Sequence, residues 1–383
     1  MTQKRSIFEE VSSDEKAPVS TPQPGLIDKA HRGARGAIRV WLAVLFGIVV
    51  LMIVVGGLTR LTDSGLSITQ WKPVSGALPP MSGAAWDAEF ARYRAIPEYQ
   101  LQNKGMSLAE FKAIYWWEWG HRQLGRIIGL VWAVGLVFFW ATKRIPTGWG
   151  NRLIGVGLLG GLQGAIGWWM VSSGLGAGML DVASYRLAIH LGLAFAILGL
   201  IAWYVLRLAR SEADLMQARR AAEPGLSGMS SALLVLAFVQ ILLGALVAGI
   251  DAGRGYTDWP LMAGQFFPAD AFDLAPWWRN FLEDDGLVQF MHRIAGYVVV
   301  ICGLFVWRRS RASGNMTTRR AFDWVAVLVF AQMVLGIAAV LYSAPLVLAI
   351  LHQLGAVVLW VAILRARFLS QYPPTQSIRR AGA

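Results

Sequence analysis

A chain of 383 residues with 56% hydrophobic side chains and only 15% charged ones lies outside the composition of soluble globular domains. Its net charge of +12 does not point to nucleic acid, because Lys and Arg cluster in short segments between apolar runs instead of along one polar face. A single cysteine, Cys302, sits inside an apolar run and excludes an intrachain disulfide or a thiolate metal cluster, so any redox chemistry must rest on a cofactor.

Residues 1–36 mix Glu9, Glu10, Asp14 and Glu15 with basic residues and proline, unlike an Arg-rich, acid-poor transit peptide, and read as a disordered cytoplasmic tail. Apolar stretches of membrane-crossing length follow at about Val40–Leu58, Trp119–Thr142, Leu153–Leu175 and Leu187–Leu206. Four more lie at Ser231–Ile250, Leu287–Trp307, Trp324–Tyr342 and Leu346–Leu364. The first run lacks a small-residue cleavage site and is expected to be retained. Hydrocarbon offers no hydrogen-bond partner to the backbone, and runs this rich in Leu and Ala read as helices, not barrel strands. The N-terminal segment and alternate connections carry 23 Lys and Arg, against 9 in the others, which predicts cytoplasmic termini.

The second half of the chain repeats the first. Asp63, Gly65, Thr69, Trp71, Gly76 and Pro80 recur as Asp251, Gly253, Thr257, Trp259, Gly264 and Pro268. In the same order, His121-Arg122 matches His292-Arg293, Gln163 and Gly167 match Gln332 and Gly336, and His190 matches His352. Four spans per half bring both copies into the membrane from one side, so the repeats are parallel and equivalent sites share a depth. The expected fold is an all-α integral membrane protein of eight transmembrane helices in two tandem parallel four-helix bundles. Its units are an N-terminal half over 37–210, a linker over 211–229, a C-terminal half over 230–367 and a cytoplasmic tail over 368–383.

Of five histidines, His31 lies in the tail, while His121, His190, His292 and His352 fall on the four even-numbered spans. Each is expected within the first two turns, roughly 10 Å from the outer end. An ionisable side chain in a span is costly and marks a functional site, and four at matching depth favour metal ligation over interhelical hydrogen bonding. Imidazole suits iron, zinc and copper, but zinc wants a third or fourth ligand that does not recur here, whereas haem needs two axial imidazoles and a slot between helices. Gly125, Gly129, Gly192, Gly296 and Gly355, with Gly157, Gly160, Gly161, Gly164 and Gly167 on the third span, offer that slot; their alternative use is close helix packing. Arg122, Arg126 and Arg293 are candidate partners for haem propionates, the alternative being snorkelling to headgroups.

The halves differ beside the ligands. Glu118 stands three residues before His121, on the same helix face, and its counterpart before His292 is Gln289. A carboxylate can act as base, acid or electrostatic stabiliser, whereas an amide only hydrogen-bonds, so the first half is the candidate reactive half. Trp71, Trp86, Trp116, Trp117 and Trp119 surround its long outer segment, as an interfacial belt or a lid.

The chain after about Ala37 resembles the haem A synthase family, in its longer proteobacterial and mitochondrial form. The resemblance rests on Glu118-Trp-Gly-His121-Arg122, His190, His292-Arg293, His352, and the stretch from Gly56 to Ser67 with Trp71-Lys72-Pro73. It implies a b-type haem held by His292 and His352, and a substrate haem held by His121 and His190 with Glu118 essential to chemistry. It further implies oxidation of a methyl group of haem O to a formyl group through hydroxylated intermediates, with water supplying oxygen, to give haem A for cytochrome c oxidase. Haem O synthase would stand upstream, and an electron acceptor the sequence does not name downstream. The setting implied is the bacterial inner membrane, with the haem sites toward the periplasm; lipid is a partner and a homo-oligomer is compatible. Some members carry a cysteine pair in an outer loop that this chain lacks. Two other classes use the same histidines: a dihaem membrane electron-transfer cytochrome, and a parallel-repeat transporter, which would be colourless.

Overall fold

The computed structural model describes residues 26–176 and 178–376. Eight helices long and apolar enough to cross a membrane dominate it. They are α1 (Leu26–Leu61), α2 (Leu108–Ala141), α3 (Gly150–Gly174), α4 (Ser184–Leu208), α5 (Pro224–Gly249), α6 (Asp285–Ser310), α7 (Met316–Leu341) and α8 (Leu346–Gln371). Among the described residues the only β feature is an isolated bridge between Met262 and Gln265.

The helices overrun the apolar stretches that announce them. Helix α1 begins at Leu26, inside the segment expected to be a tail, and residues 1–25 and the side chain of His31 lie outside the described part. Helix α5 begins at Pro224, inside the expected linker, where Pro at the first turn costs no hydrogen bond. The rest of that linker holds a helix, Glu212–Arg219, whose N-terminus is closed by a capping box between Ser211 and Asp214. Helix α8 continues to Gln371, past the expected boundary at residue 367. Turns at this end of the helices are held by polar contacts that hydropathy does not register. The Arg35 guanidinium on α1, for example, donates to the carbonyls of Arg207 and Arg210 at 3.1 and 2.6 Å, supplying a cation to the C-terminal end of α4.

The overrun that matters for the site is at α2, which starts eleven residues before its apolar run. Ser107 and Glu110 form a reciprocal capping box that satisfies two of the first free N–H groups. The turns that follow bury Phe111 and Tyr115 against Tyr93, Ile96, Leu66 and Ile68. Together with the short helices Gly83–Arg94 and Pro97–Leu101, these turns form a small second core beyond the spans, so burial continues the helix where hydropathy stops.

Round the first half, α1 and α3 each pack on α2 and α4; round the second, α5 and α7 each pack on α6 and α8. The halves meet where α4 lies on α5 and α8, and where α8 lies on α1. At that seam the Trp360 indole N–H of α8 donates to the Phe195 carbonyl of α4 at 3.0 Å. Gly199 makes room for it, since a Cβ there would stand 2.8 Å from the indole nitrogen. Lipid is as apolar as leucine, so such close contacts and interhelical hydrogen bonds carry the association. Leu42, Leu45, Phe195, Leu198, Ile201, Leu233, Phe322 and Ile363 fill the core, while Val40, Leu130, Val134, Leu158, Ile301 and Val347 face outward, as lipid-facing positions should.

Candidate haem sites

The four intramembrane histidines share one local construction. Each even helix presents a histidine to a glycine on the preceding odd helix. A Cβ on Gly56 would stand 2.9 Å from His121 Cε1, one on Gly167 2.8 Å from His190 Cε1, and ones on Gly244 and Gly336 3.0 Å from Cε1 of His292 and His352. Only a residue without a Cβ lets the ring lie this close to the neighbouring backbone. The two pairs of seats, Gly56 with Gly244 and Gly167 with Gly336, are matched positions of the repeat.

In the second half, the rings of His292 and His352 face each other with centroids 6.4 Å apart and planes at 81°. A metal–imidazole bond is about 2 Å, and two such bonds on opposite sides of one ion put ring centres roughly 6 Å apart. The pair therefore fits two axial imidazoles on one iron, the ligand set of a bis-histidine haem. In the first half, His121 and His190 stand on the matching seats of the repeat, Gly56 and Gly167. Among the described residues no group of three or more His, Cys, Asp or Glu is placed to hold a metal ion by itself. Nothing lies within 4 Å of where a Cβ would stand on Gly129, Gly160, Gly161 or Gly164, so small residues also leave space open around α2 and α3.

Glutamines brace three of the histidines, two of them at the ring as well as at the backbone. Gln163 Nε2 lies 3.2 Å from His190 Nδ1 and donates to the His190 carbonyl at 2.9 Å. Gln240 does the same to His292 at 3.1 and 3.0 Å, and Gln332 donates to the His352 carbonyl at 2.9 Å. At the place of Gln240 the first half has Met52, whose methyl group faces Gly125 as the Gln240 amide faces Gly296. The Nδ1 atoms of His121 and His352 are buried and have no protein partner.

Three of the histidines stand six or seven residues from the start of their helices. His121, expected in the same place, is thirteen residues from the start of α2, about 20 Å along it at 1.5 Å per residue. Early capping of α2, described above, is the reason, and it puts Glu118 in mid-helix. There Glu118 is 3% exposed and wholly engaged. One oxygen accepts from Ser67 Oγ and the Ile68 N–H, both at 2.7 Å; the other accepts from Arg122 Nε at 3.0 Å and Nη2 at 2.5 Å. Gln289 uses the same place differently. Its amide donates to the carbonyls of Ala252 and Tyr256 at 2.7 and 3.1 Å, and its oxygen accepts from Arg293 at 2.7 Å.

The arginines expected at propionates chiefly pin the outer loops. Arg122 donates to the carbonyls of Ile68 and Gln70 at 2.8 and 3.1 Å. Arg293 repeats this on Tyr256 and Asp258, both at 3.0 Å, and adds Leu261 at 2.9 Å. Arg126 donates to Lys72 and Pro73 carbonyls at 3.0 and 2.9 Å, and to Gln123. Above them, Trp71 stacks on Trp168 at 6.0 Å with planes at 11°, and Arg122 lies over Trp168 at 5.7 Å. A cavity of about 330 Å³ lined by Gln70, Lys72, Arg92, Tyr115, Arg122 and Arg126 opens beside the arginines.

Comparison with known proteins settles the family. A family model described as "Cytochrome oxidase assembly protein" matches residues 39–364. Proteins named Heme A synthase match along their whole length. One from Dinoroseobacter shibae is 66% identical over all of both chains. Another, from a Ruegeria species, is 63% identical over 98% of this chain and 99% of its own, and one from Paracoccus denitrificans is 59% identical over 98% of each. The chain belongs to the haem A synthase family.

For a member of this family, two features of the site escape a sequence reading. The first is the set of glycine seats. The glycines that follow the histidines mostly pack elsewhere, Gly192 on Leu242 and Gly355 on Gln332, and of the four seats only Gly167 stands among the glycines offered as a slot between helices, with Gly336 flagged by its pairing with Gly167 in the repeat. The second is Arg60 at the outer end of α1. It donates to Asp63 and Asp251, both at 2.9 Å, and lies 3.6 Å from Asp181. Asp63 and Asp251 are repeat partners that both adopt left-handed backbone, φ 47° and 53°, and one arginine serves both. The repeat flagged both aspartates, but their common partner depends on how the halves meet.

Proposed function

We propose that this chain is a haem A synthase that oxidises the methyl group of haem O to the formyl group of haem A for cytochrome c oxidase, with water as the oxygen source. Four histidines on four glycine seats, two in each half, are the observation that carries this reading. His121 and His190 would hold the substrate haem, and His292 and His352 a haem b, which supplies one-electron chemistry when bound.

The two halves do different work beside these ligands. Conversion of a methyl to a formyl group with water as oxygen donor releases protons and electrons in equal number, the electrons passing to an external acceptor; where electrons leave the carbon ahead of the attack by water, positive charge develops there. Glu118 stands on the His121 face of α2 with all of its acceptor positions filled. A carboxylate so engaged acts better by holding negative charge in a fixed place than by taking a proton, because protonation would displace a donor. It also holds Arg122, which ties down the loop at Ile68 and Gln70. Gln289 supplies the same tie in the second half without the charge, which suits a half that retains its haem. The N–H groups that Arg122 and Arg126 do not spend on the loop border the outer cavity and are proposed to receive the propionates of the substrate. Arg293 has only its Nε, buried without a partner, for the same use.

Both termini are proposed to be cytoplasmic, with the haem sites toward the periplasmic side of the bacterial inner membrane and haem O synthase as the supplier of substrate. The test is to purify the protein from cells that make haem O and to identify the acid-extracted haems by chromatography and mass spectrometry. Haem A or its hydroxymethyl precursor beside haem B is expected. Haem B alone, filling both sites, would replace this reading with an electron-transfer cytochrome.

A further inference from the structure

The two ligand pairs are joined by a contact that breaks the repeat. Gln353 follows His352 on α8 and reaches across the seam into α1, where its Nε2 donates to the Ile53 carbonyl at 2.9 Å. In an α-helix that carbonyl also accepts from the N–H of Gly57, four residues on, so the glutamine takes the second lone pair of an oxygen already committed to the turn. Its side chain lies against Gly57 so closely that a Cβ there would stand 2.0 Å from Oε1 and 2.9 Å from Cδ. The residue before Gly57 is Gly56, the seat of His121. An unbroken path of contacts thus runs from His352 through Gln353, Gly57 and Gly56 to His121.

The opposite seam, where α4 meets α5, shows what this path replaces. By the repeat, the counterparts of Gln353 and Gly57 are Leu191 and Ala245, and both belong to an apolar cluster between those helices. Apolar packing therefore suffices to hold that seam, and the Gln353–Gly57 pair does something that packing alone does not. A glutamine amide fixed on a carbonyl has a defined direction and distance, whereas leucine against alanine tolerates sliding. The contact ties α8 beside His352 to the turn of α1 that holds the His121 seat.

We propose that Gln353 is a positioning residue that couples the two haem sites, so that occupancy of the second half tightens the grip of the first half on its haem. This rests on the ligand assignment under Proposed function. Coupling between sites is a free energy shared by both and is measurable as a ratio of affinities or of dissociation rates, of about fivefold or more.

The experiment is a cycle on the full-length protein. The rate at which the haem held by His121 and His190 is lost to excess apomyoglobin is followed by absorbance in the wild type, His352→Ala, Gln353→Leu and the double variant. His352→Ala, which empties the second half, should speed the loss at least about fivefold. In the Gln353→Leu background the same substitution should change the rate less than about twofold. Should Gln353→Leu not fold, Gly57→Ala with Gln353→Leu, which reproduces the pair found at the opposite seam, takes its place. An equal effect of His352→Ala in both backgrounds, or no effect in the wild-type background, overturns the proposal. If instead His121→Ala and His352→Ala both retain full haem content, the ligand assignment has failed. Loss of one haem in each, without the ratio, sinks the coupling alone.

Discussion

Glu118 and Gln289 differ by one atom of side chain and, apart from the arginine four residues on, by the kind of group they bind. The carboxylate sits among donors, the Ser67 hydroxyl, the Ile68 N–H and Arg122, while the amide points its NH₂ at two carbonyls. Glu118→Gln would turn an NH₂ group toward those donors and remove the charge. The expected outcome is full retention of haem in the second half with loss of formylated product, read by extraction and chromatography. Product at the wild-type level would remove Glu118 from the chemistry. A second carboxyl has a different consequence. Glu98, in the outer helix Pro97–Leu101, is 4% exposed, with one oxygen near Tyr93 Oη at 3.2 Å and the other without a partner. Burial, reinforced by Asp181, Asp63 and Glu118 and opposed by the Tyr93 hydrogen bond, pushes it up to about 8 from 4.5. The folded protein thus keeps a proton that the unfolded chain releases, so stability falls as pH rises from about 4.5 through about 8. Glu98→Gln should flatten that fall. Melting temperatures of the two proteins compared at about pH 5 and about pH 9 check it, and parallel behaviour would contradict it.

At the scale of the helix, the glycine seats decide where a histidine can stand. The repeat flags Gly167 and Gly336 by their pairing, but which glycine touches which ring depends on how far each helix is rotated about its axis. Hydropathy does not specify that angle in helices this apolar all round. Gly244→Ala places a methyl group 3.0 Å from His292 Cε1 and should weaken haem binding in the second half about tenfold or more, the size of effect seen when a ligand's supports are altered. Gly47→Ala, on the outward face of α1 with nothing within 4 Å, should leave haem binding unchanged. Haem titration by absorbance distinguishes them, and equal effects would mean that the seats are ordinary packing. The start of α2 teaches a related point. The capping box at Ser107 and Glu110 is present in the sequence, but its meaning depends on Phe111 and Tyr115 finding the apolar faces of Tyr93 and Ile68, contacts made by residues remote in the chain.

At the scale of the molecule, the halves are held by few polar devices on an apolar seam. Arg60 is 12% exposed and answers carboxylates from both halves and from the segment between α3 and α4. Asp181 itself is raised by burial, with Arg60 opposing the rise, so removing the arginine leaves three carboxylates facing one another without their shared cation. Arg60→Ala should lower the melting temperature by several degrees and loosen the outer loops of both halves together, as hydrogen exchange would show. Protection lost in the first half alone would mean that Asp251 does not depend on Arg60. The number of spans, the duplication, the four histidines and the Glu118–Gln289 difference are all legible in the order of the residues. All of these are matters of composition, order and spacing, which hydrocarbon thickness and backbone hydrogen bonding translate directly into helices. The glycine seats, the engagement of Arg122 and Arg293 with the outer loops, the arginine shared by two aspartates, and the glutamine that crosses from α8 to α1 emerge once the helices are packed. Those depend on the rotation and register of one helix against another, which are fixed by close packing between residues far apart in the chain and leave no period in the sequence.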